Sequence, residues 1–376
     1  AQLLGLSFES ISIQDHFFSL GGDSLRAVQL SGRLSQQTQT TVSVKDIFSN
    51  PTIAGLSQLI TKKEKTTLSV IAKAPVQDSY PMASAQKRVY LHSLQQGESS
   101  VLYNMPAVYK VDGRLDLEGI NQAFQKVVNH FAVFRISFLI EEGDLRQCVA
   151  SELNVNVPVL KLTESALQQQ LANWGKMPFD LEQAPLIRME LWQTENRQLL
   201  AIDTHHIIMD GMSYGPFFDA LSMAYVGEKL PEPALHYTDY ATWQQSEAQQ
   251  ALREKQAAFW HSMFENGIPA LELPEDLQVP AQRTFLAGTH SFSLQGPLFD
   301  QVQLFCNQTG TTPYMFLYSA FTLLISKYAQ TEDLVIATTS AGRNLPQTED
   351  MVGMFVNTLA IRNKVDSTQS FREFLN

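Results

Sequence analysis

Asp203-Thr204-His205-His206-Ile207-Ile208-Met209-Asp210-Gly211-Met212-Ser213 is the stretch on which the reading of this chain turns. The apolar run before it, Leu199-Leu200-Ala201-Ile202, has strand length, so the two histidines fall where a buried strand passes into a loop. Successive side chains of a strand point to opposite faces, so His205 and His206 cannot look into one cavity. They have different jobs. Asp210 follows His206 by four positions and Gly211 comes next, which suits a tight loop held by a carboxylate and open to close approach where Cβ is missing. A lone histidine at a strand end is usually a packing or surface residue; here the whole string points to a site.

At 376 residues the chain is long enough for two or three domains, and 44% hydrophobic with 10% aromatic residues is ample for folded cores. A net charge of -11 repels phosphate backbones, so nucleic acid is not an expected partner. Cys148 and Cys306 lie far apart, outside any metal-ligand pattern, and fit a reducing cytoplasm better than a disulfide framework. No export signal is visible. The longest apolar run, Pro313 to Ile325, is too short and too interrupted for a bilayer; it reads as a buried helix, and no membrane contact is expected. The opening residue is not Met and the chain stops at Asn376, so a fragment of something longer is expected.

Near the front, Asp15-His16-Phe17-Phe18-Ser19-Leu20-Gly21-Gly22-Asp23-Ser24-Leu25 leads into apolar positions Val28, Leu30 and Leu34. The glycine pair permits a sharp turn, and Ser24 falls at a helix start, where it either caps the helix or carries an anionic group that the helix end favours. The full string resembles the modification site of peptidyl carrier proteins. That resemblance implies 4′-phosphopantetheine on Ser24, delivered from coenzyme A by a separate phosphopantetheinyl transferase, with an aminoacyl or peptidyl thioester on its thiol. Val44 to Ile53 resembles the same family's third-to-fourth helix junction, with Pro51 suited to a helix start. A small all-α, four-helix carrier is therefore expected over 1–64, its first helix incomplete, followed by a flexible tether over 65–79.

His-His-x-x-x-Asp-Gly resembles the active-site motif of the condensation domains of nonribosomal peptide synthetases and of acyltransferases built like chloramphenicol acetyltransferase. The resemblance implies an α/β domain of two such lobes, expected over 80–250 and 251–376, the second incomplete. It places His206 on a reaction tunnel and makes Asp210 structural. Tyr80 to Tyr90, with Ser84, Ala85, Gln86 and Arg88, resembles the family's opening motif, and Ser84 is an acceptable helix cap. Val133 to Phe138 resembles its second motif, although Asn129-His130-Phe131 lacks the usual Arg and Glu. The surviving Arg135 implies an Arg135 to Asp210 salt bridge. Tyr237 to Trp243 and Met351 to Leu359 match further motifs, and Asn357 is expected to face the substrate tunnel.

The function implied is a peptide-bond-forming acyltransferase of nonribosomal peptide synthesis, working beside adenylation and downstream carrier domains. The candidate catalytic set is His206, His205 as an orienting residue, Asp210 and Gly211, near which backbone amides could stabilise a developing oxyanion. A free α-amine has a pKa near 8, so roughly a tenth is neutral at pH 7, and His206 needs to orient it and take its proton. Two alternatives stand beside this. One is a non-catalytic condensation-like module that recruits a tailoring enzyme; the other is an epimerisation-type domain, which shares the paired histidines. A Ser-His hydrolase fits poorly, because no Gly-x-Ser-x-Gly elbow is present.

Overall fold

The computed structural model describes residues 1–65, 70–97, 100–276 and 288–375, with positions 24 and 25 described by their backbone. In the first unit, short 3-10 turns at Gln2–Leu4 and Phe8–Ser10 precede helices α1 (Ser24–Thr38), α2 (Val44–Ser49) and α3 (Ile53–Lys62). Each helix starts on a side chain that takes one of its unpaired N–H groups. Asp23 accepts from Arg26, Ser43 from Asp46 and Thr52 from Gly55. The cap of α1 is thus Asp23, and Ser24 is the first helical residue; Pro51 precedes the cap of α3 instead of opening the helix. The turn before α1 depends on its glycines, since a Cβ on Gly22 would meet the Phe17 ring at 2.5 Å. Ala27, Val42, Ile47 and Leu56 close a small core, with Phe18 stacked on Phe48 at 4.6 Å.

The tether expected over 65–79 lies partly outside the described residues, at 66–69. From Ile71 onward it is not free. Ile71 is 2% exposed, and its N–H and C=O pair with the side-chain amide of Gln347 at 2.9 and 3.0 Å. The N–H of Ala74 donates to Asp239. Its backbone bonds end on side chains, not on a strand ladder, which is why the stretch shows no periodicity.

The first lobe of the second unit runs β1 (Tyr80–Pro81), α4 (Ser84–Gln96), β2 (Asn104–Val111), α5 (Leu117–His130), β3 (Ile136–Glu141), β4 (Asp144–Val149), β5 (Val159–Lys161), α6 (Glu164–Asn173), β6 (Ile187–Gln193), β7 (Gln198–His205), α7 (Tyr214–Tyr225) and α8 (Tyr237–Trp243). α4 begins one residue earlier than a Ser84 cap would give: Ala83 is the cap, and its N–H is taken by the Gln86 side chain at 2.9 Å. Every residue of β7 is buried. It pairs antiparallel with β2 and β6, and β5 joins β6 in parallel, giving the order β2-β7-β6-β5; β1, β4 and β3 form a smaller sheet. Phe124, Val127 and Val128 of α5 and Phe217, Ala220 and Leu221 of α7 fill the core with Ile202 of β7 and Ile207 beyond it.

The second lobe holds α9 (Glu247–Met263), α10 (Pro297–Thr309), α11 (Pro313–Ala329), β8 (Asp333–Ser340), β9 (Asn357–Lys364) and α12 (Phe371–Leu375), with β8 and β9 antiparallel. Between those strands the chain crosses back, and Met351, Val352, Met354 and Phe355 are buried in the first lobe's core. The apolar run at α11 is a helix, as read, but not a buried one. Tyr314, Leu317, Phe321, Leu324 and Tyr328 are 48 to 62% exposed, while Ser319, Thr322 and Ser326 are buried. α10, α12 and β8 pack against α11, with Phe316 against Phe305 and Phe371. Hydropathy sets where the helix forms; its neighbours decide which face is dry. No helix among the described residues is long and apolar enough to cross a membrane.

The crossing segment rests on Gly342, whose φ is +68° and whose added Cβ would lie 2.1 Å from the Phe355 carbonyl oxygen. Gly342→Ala is expected to cost about 3 kcal/mol or more, from the left-handed backbone and the clash together. A urea midpoint unchanged by the substitution would contradict this placement.

Candidate functional site

β7 delivers His205 as its last residue, and the N–H of His206 still bonds to the Tyr103 carbonyl at 2.8 Å. The strand register thus ends at His205, with one further backbone bond from His206, and the two rings have different partners. His205 is 4% exposed, with Tyr103 and Phe179 at 5.9 and 6.1 Å between ring centroids, and its Nδ1 accepts the N–H of Ile207 at 3.2 Å. Burial, reinforced by the neighbouring His206, pushes its pKa down to about 3. His205 stays neutral and shapes the loop. His206 is half-buried, with Nδ1 2.9 Å from the carbonyl oxygen of Met209. A carbonyl only accepts, so Nδ1 carries the hydrogen and Nε2 keeps the lone pair. That leaves Nε2 as the nitrogen able to accept a proton.

Asp210 is 1% exposed and all its partners are internal. Oδ1 accepts from the Ser213 N–H at 3.0 Å and from Arg343 Nη2 at 3.1 Å, and Oδ2 accepts from the Phe355 N–H at 3.0 Å. Ser213 Oγ lies 2.8 Å from Asp210 Oδ1 and receives Arg343 Nη2 at 2.8 Å. Arg343 also donates to the carbonyls of Thr348 and Met351, and its guanidinium lies 4.1 Å from the Phe355 ring centroid. The loop after β7 in one lobe and the crossing segment of the other are thus joined through one buried ion pair.

The expected Arg135 to Asp210 salt bridge is not formed. Arg135 donates to the carbonyls of Val128, Asn129 and Ala150 at 2.8, 2.5 and 2.9 Å. Two of these belong to the last turn of α5, where carbonyls lack helical partners and a cation is favoured. Arg135 closes a helix end, and Asp210 takes its cation from 133 residues downstream. The local signal for Arg343 is a lone arginine beside a glycine just past a strand, too weak to single out. Asp203 was not picked out either: fully buried, it pairs with Arg188 at 2.7 Å, and Arg188 lies 4.1 Å from the centre of the Phe179 ring that borders His205. Burial raises the pKa of Asp203, against the pull of Arg188.

Gly211 opens a 3-10 turn ahead of α7, and an added Cβ there would meet nothing within 4 Å. It lines a cavity of about 470 Å³ together with Met212, Gly342, Asn344 and, from α1, Val28 and Gln29. Asn357 borders a different cavity, about 840 Å³, with Arg88, Trp243 and Phe355; Gly211 lines only the first of the two, and the His206 expected on a tunnel lines neither. Ser340, Gly342 and Asn344 border both cavities, so one loop is a shared wall. Among the described residues no cluster of three or more His, Cys, Asp or Glu is arranged to hold a metal.

A family model described as "Condensation domain" matches residues 76–376, and one described as "Phosphopantetheine attachment site" matches residues 1–60. Tyrocidine synthase 3 of Brevibacillus parabrevis is 38% identical over 372 residues, covering 98% of this chain and 6% of that protein. Surfactin synthase subunit 2 of Bacillus subtilis (strain 168) is 36% identical over 375 residues, covering 98% of this chain and 10% of that protein. The chain spans a tenth or less of the length of these relatives. Among solved structures, the X-domain from teicoplanin biosynthesis aligns with a TM-score of 0.73 at 24% identity, over 82% of this chain and 70% of that one. The first condensation domain of the calcium-dependent antibiotic synthetase aligns with a TM-score of 0.64 at 21% identity, over 80% and 72%. Both likenesses are of fold.

Two measurements check the site. Asp210→Ala and Arg343→Ala are each expected to cost about 3–5 kcal/mol, because either one strands a buried charge, and the double variant should fall well short of their sum. With Arg135→Ala, Asp210→Ala should instead be additive; the reverse pattern in denaturant titrations would contradict the pairing. For His205, the unfolded chain binds a proton below the ordinary value of 6.5 that the folded chain refuses until about 3. Its contribution is complete above 6.5 and is lost as pH falls through that window. His205→Asn, whose Oδ1 replaces Nδ1 as acceptor, should flatten the acid limb of stability by up to about 1.4 kcal/mol per pH unit. An unaltered slope would contradict the neutral buried ring.

Proposed function

The chain belongs to the condensation-domain family, here joined to a phosphopantetheine-attachment carrier, and from that we propose that it forms amide bonds in nonribosomal peptide synthesis, with its own carrier as donor. The observation that carries this reading is His206: half-buried, and held through Nδ1 by Met209 so that Nε2 is free to take a proton. Ser24 stands in the first turn of α1, and Val28 and Gln29, one turn on, border the cavity at Gly211. A capped helix start beside a cavity of about 470 Å³ fits 4′-phosphopantetheine on Ser24. When attached, the group supplies a thiol that holds the donor acyl group as a thioester.

His206 receives the acceptor amine, an aminoacyl thioester on a downstream carrier, and orients it toward the donor carbonyl. As the C–N bond forms, nitrogen becomes acidic and Nε2 takes its proton; a phosphopantetheine thiol on Ser24 would supply the leaving group that this proton neutralises. His205 and Asp210 act through the backbone, by fixing where Met209 and the loop lie. Gly211 lets the donor approach. Two cavities share loop 340–344 as a wall, with Gly211 on the first and Asn357 on the second. An intact His206 and Asp210 arrangement favours catalysis over a recruiting module. A phosphopantetheinyl transferase and an adenylation domain would load Ser24. We place the chain in the cytoplasm, where Cys148 and Cys306 would remain the free thiols they are here.

The test is the full chain treated with coenzyme A and a phosphopantetheinyl transferase, loaded with an aminoacyl group and mixed with an acceptor aminoacyl thioester. Ser24→Ala is expected to remain unmodified by intact mass. His206→Ala should load normally and form product about 10²–10⁴-fold more slowly. Product at the parental rate from His206→Ala would overturn the reading.

A further inference from the structure

Each unit has its own core, so burial of shared apolar side chains is not what holds the carrier in place. The contact runs instead between α1 and the short turn Pro346–Thr348 with the residues after it. Gly32 sits against Pro346, where an added Cβ would meet Cγ and Cδ at 3.3 Å. Beside it, Arg33 reaches Glu349 with Nε at 2.9 Å and Nη2 at 2.5 Å from Oε2. The Glu349 side chain is 9% exposed and that of Arg33 is 35% exposed, so the carboxylate lies in a nearly dry contact. Asp350 adds a second negative charge near the guanidinium.

Positions 24, 28 and 32 are spaced by four and share one side of α1, with 29 and 33 beside them. A forked, planar guanidinium gripping one carboxylate fixes the rotation of the helix as well as its distance. Turning α1 to break that grip also turns Val28 and Gln29 away from the cavity at Gly211. The seat itself is rigid, because Arg343 holds the carbonyls of Thr348 and Met351 on its inner side.

We infer that Arg33 and Glu349, with Gly32 seated on Pro346, form a docking key that selects which carrier is received at the Gly211 cavity. The inference rests on the carrier acting as donor. The partner that fits is a carrier helix with no side chain at the first of these positions and a bidentate cation at the second. A helix with an acidic residue in place of Arg33 would set like charges against Glu349 and Asp350 and be refused.

The test uses the full chain with Ser24 modified and aminoacylated, and an aminoacyl N-acetylcysteamine thioester as acceptor. Two quantities are read: hydrogen exchange of the segment 344–351, and single-turnover acyl transfer. Arg33→Glu and Glu349→Arg are each expected to speed exchange and slow transfer about tenfold, and the double variant to recover both to within about threefold of the parent. Gly32→Leu favours the helix yet crowds Pro346, so it should act like the single charge variants without unfolding the carrier. Exchange that ignores all four variants, or a double variant as impaired as the two singles combined, would overturn the inference. A parent that transfers nothing while its exchange follows the expected pattern would refute amide formation and still support the docking key.

Discussion

A carboxylate with no water around it must find its partners inside the protein, and Asp210 finds them on both lobes. Its oxygens take Arg343 and the Phe355 N–H from the crossing segment, and the Ser213 N–H from its own loop. Removing either charge leaves the other buried and uncompensated, so the pair behaves as a fastener whose two halves fail together. What it fastens is the backbone of the loop after β7. Met209, one residue earlier, presents its carbonyl to His206, and Ser213 begins the descent into α7. The position of the His206 ring thus depends on a charge pair that does not touch it.

The same segment has a second side. Residues 343 to 351 carry Arg343 inward, Gln347 against the strap at Ile71, and Glu349 against Arg33 of the carrier. Three attachments within nine residues put the carrier, its connection and the loop after β7 in a common frame. The carrier is held by polar contacts on a rigid seat, which suits a partner that must also leave to be loaded.

Much of the fold could be read in the sequence, for local reasons. The buried strand ahead of His205, the helix around Phe124, the strands at β2 and β8 and the turn at Gly21-Gly22 follow from periodicity and glycine geometry. The errors were long-range ones. Arg135 looked like the partner of Asp210, but the end of α5 beside it offered carbonyls, and a buried carboxylate can draw its cation from any distance along the chain. The strap after Ile71 has the composition of a tether and is held by a side-chain amide that no local pattern announces. α11 has the composition of a core helix, yet its only fully buried residues are Ser319, Thr322 and Ser326. At the site, the roles of the two histidines follow from strand alternation, whereas the tautomer of His206 depends on where a loop carbonyl falls.

That tautomer is where the account is most exposed. Long-range nitrogen–proton correlation spectra of histidine-labelled protein report directly which imidazole nitrogen carries hydrogen. For the neutral His206 ring the account predicts a protonated Nδ1 and an unprotonated Nε2. A neutral ring with its hydrogen on Nε2 would leave no lone pair facing outward, and the role given to this residue would be wrong.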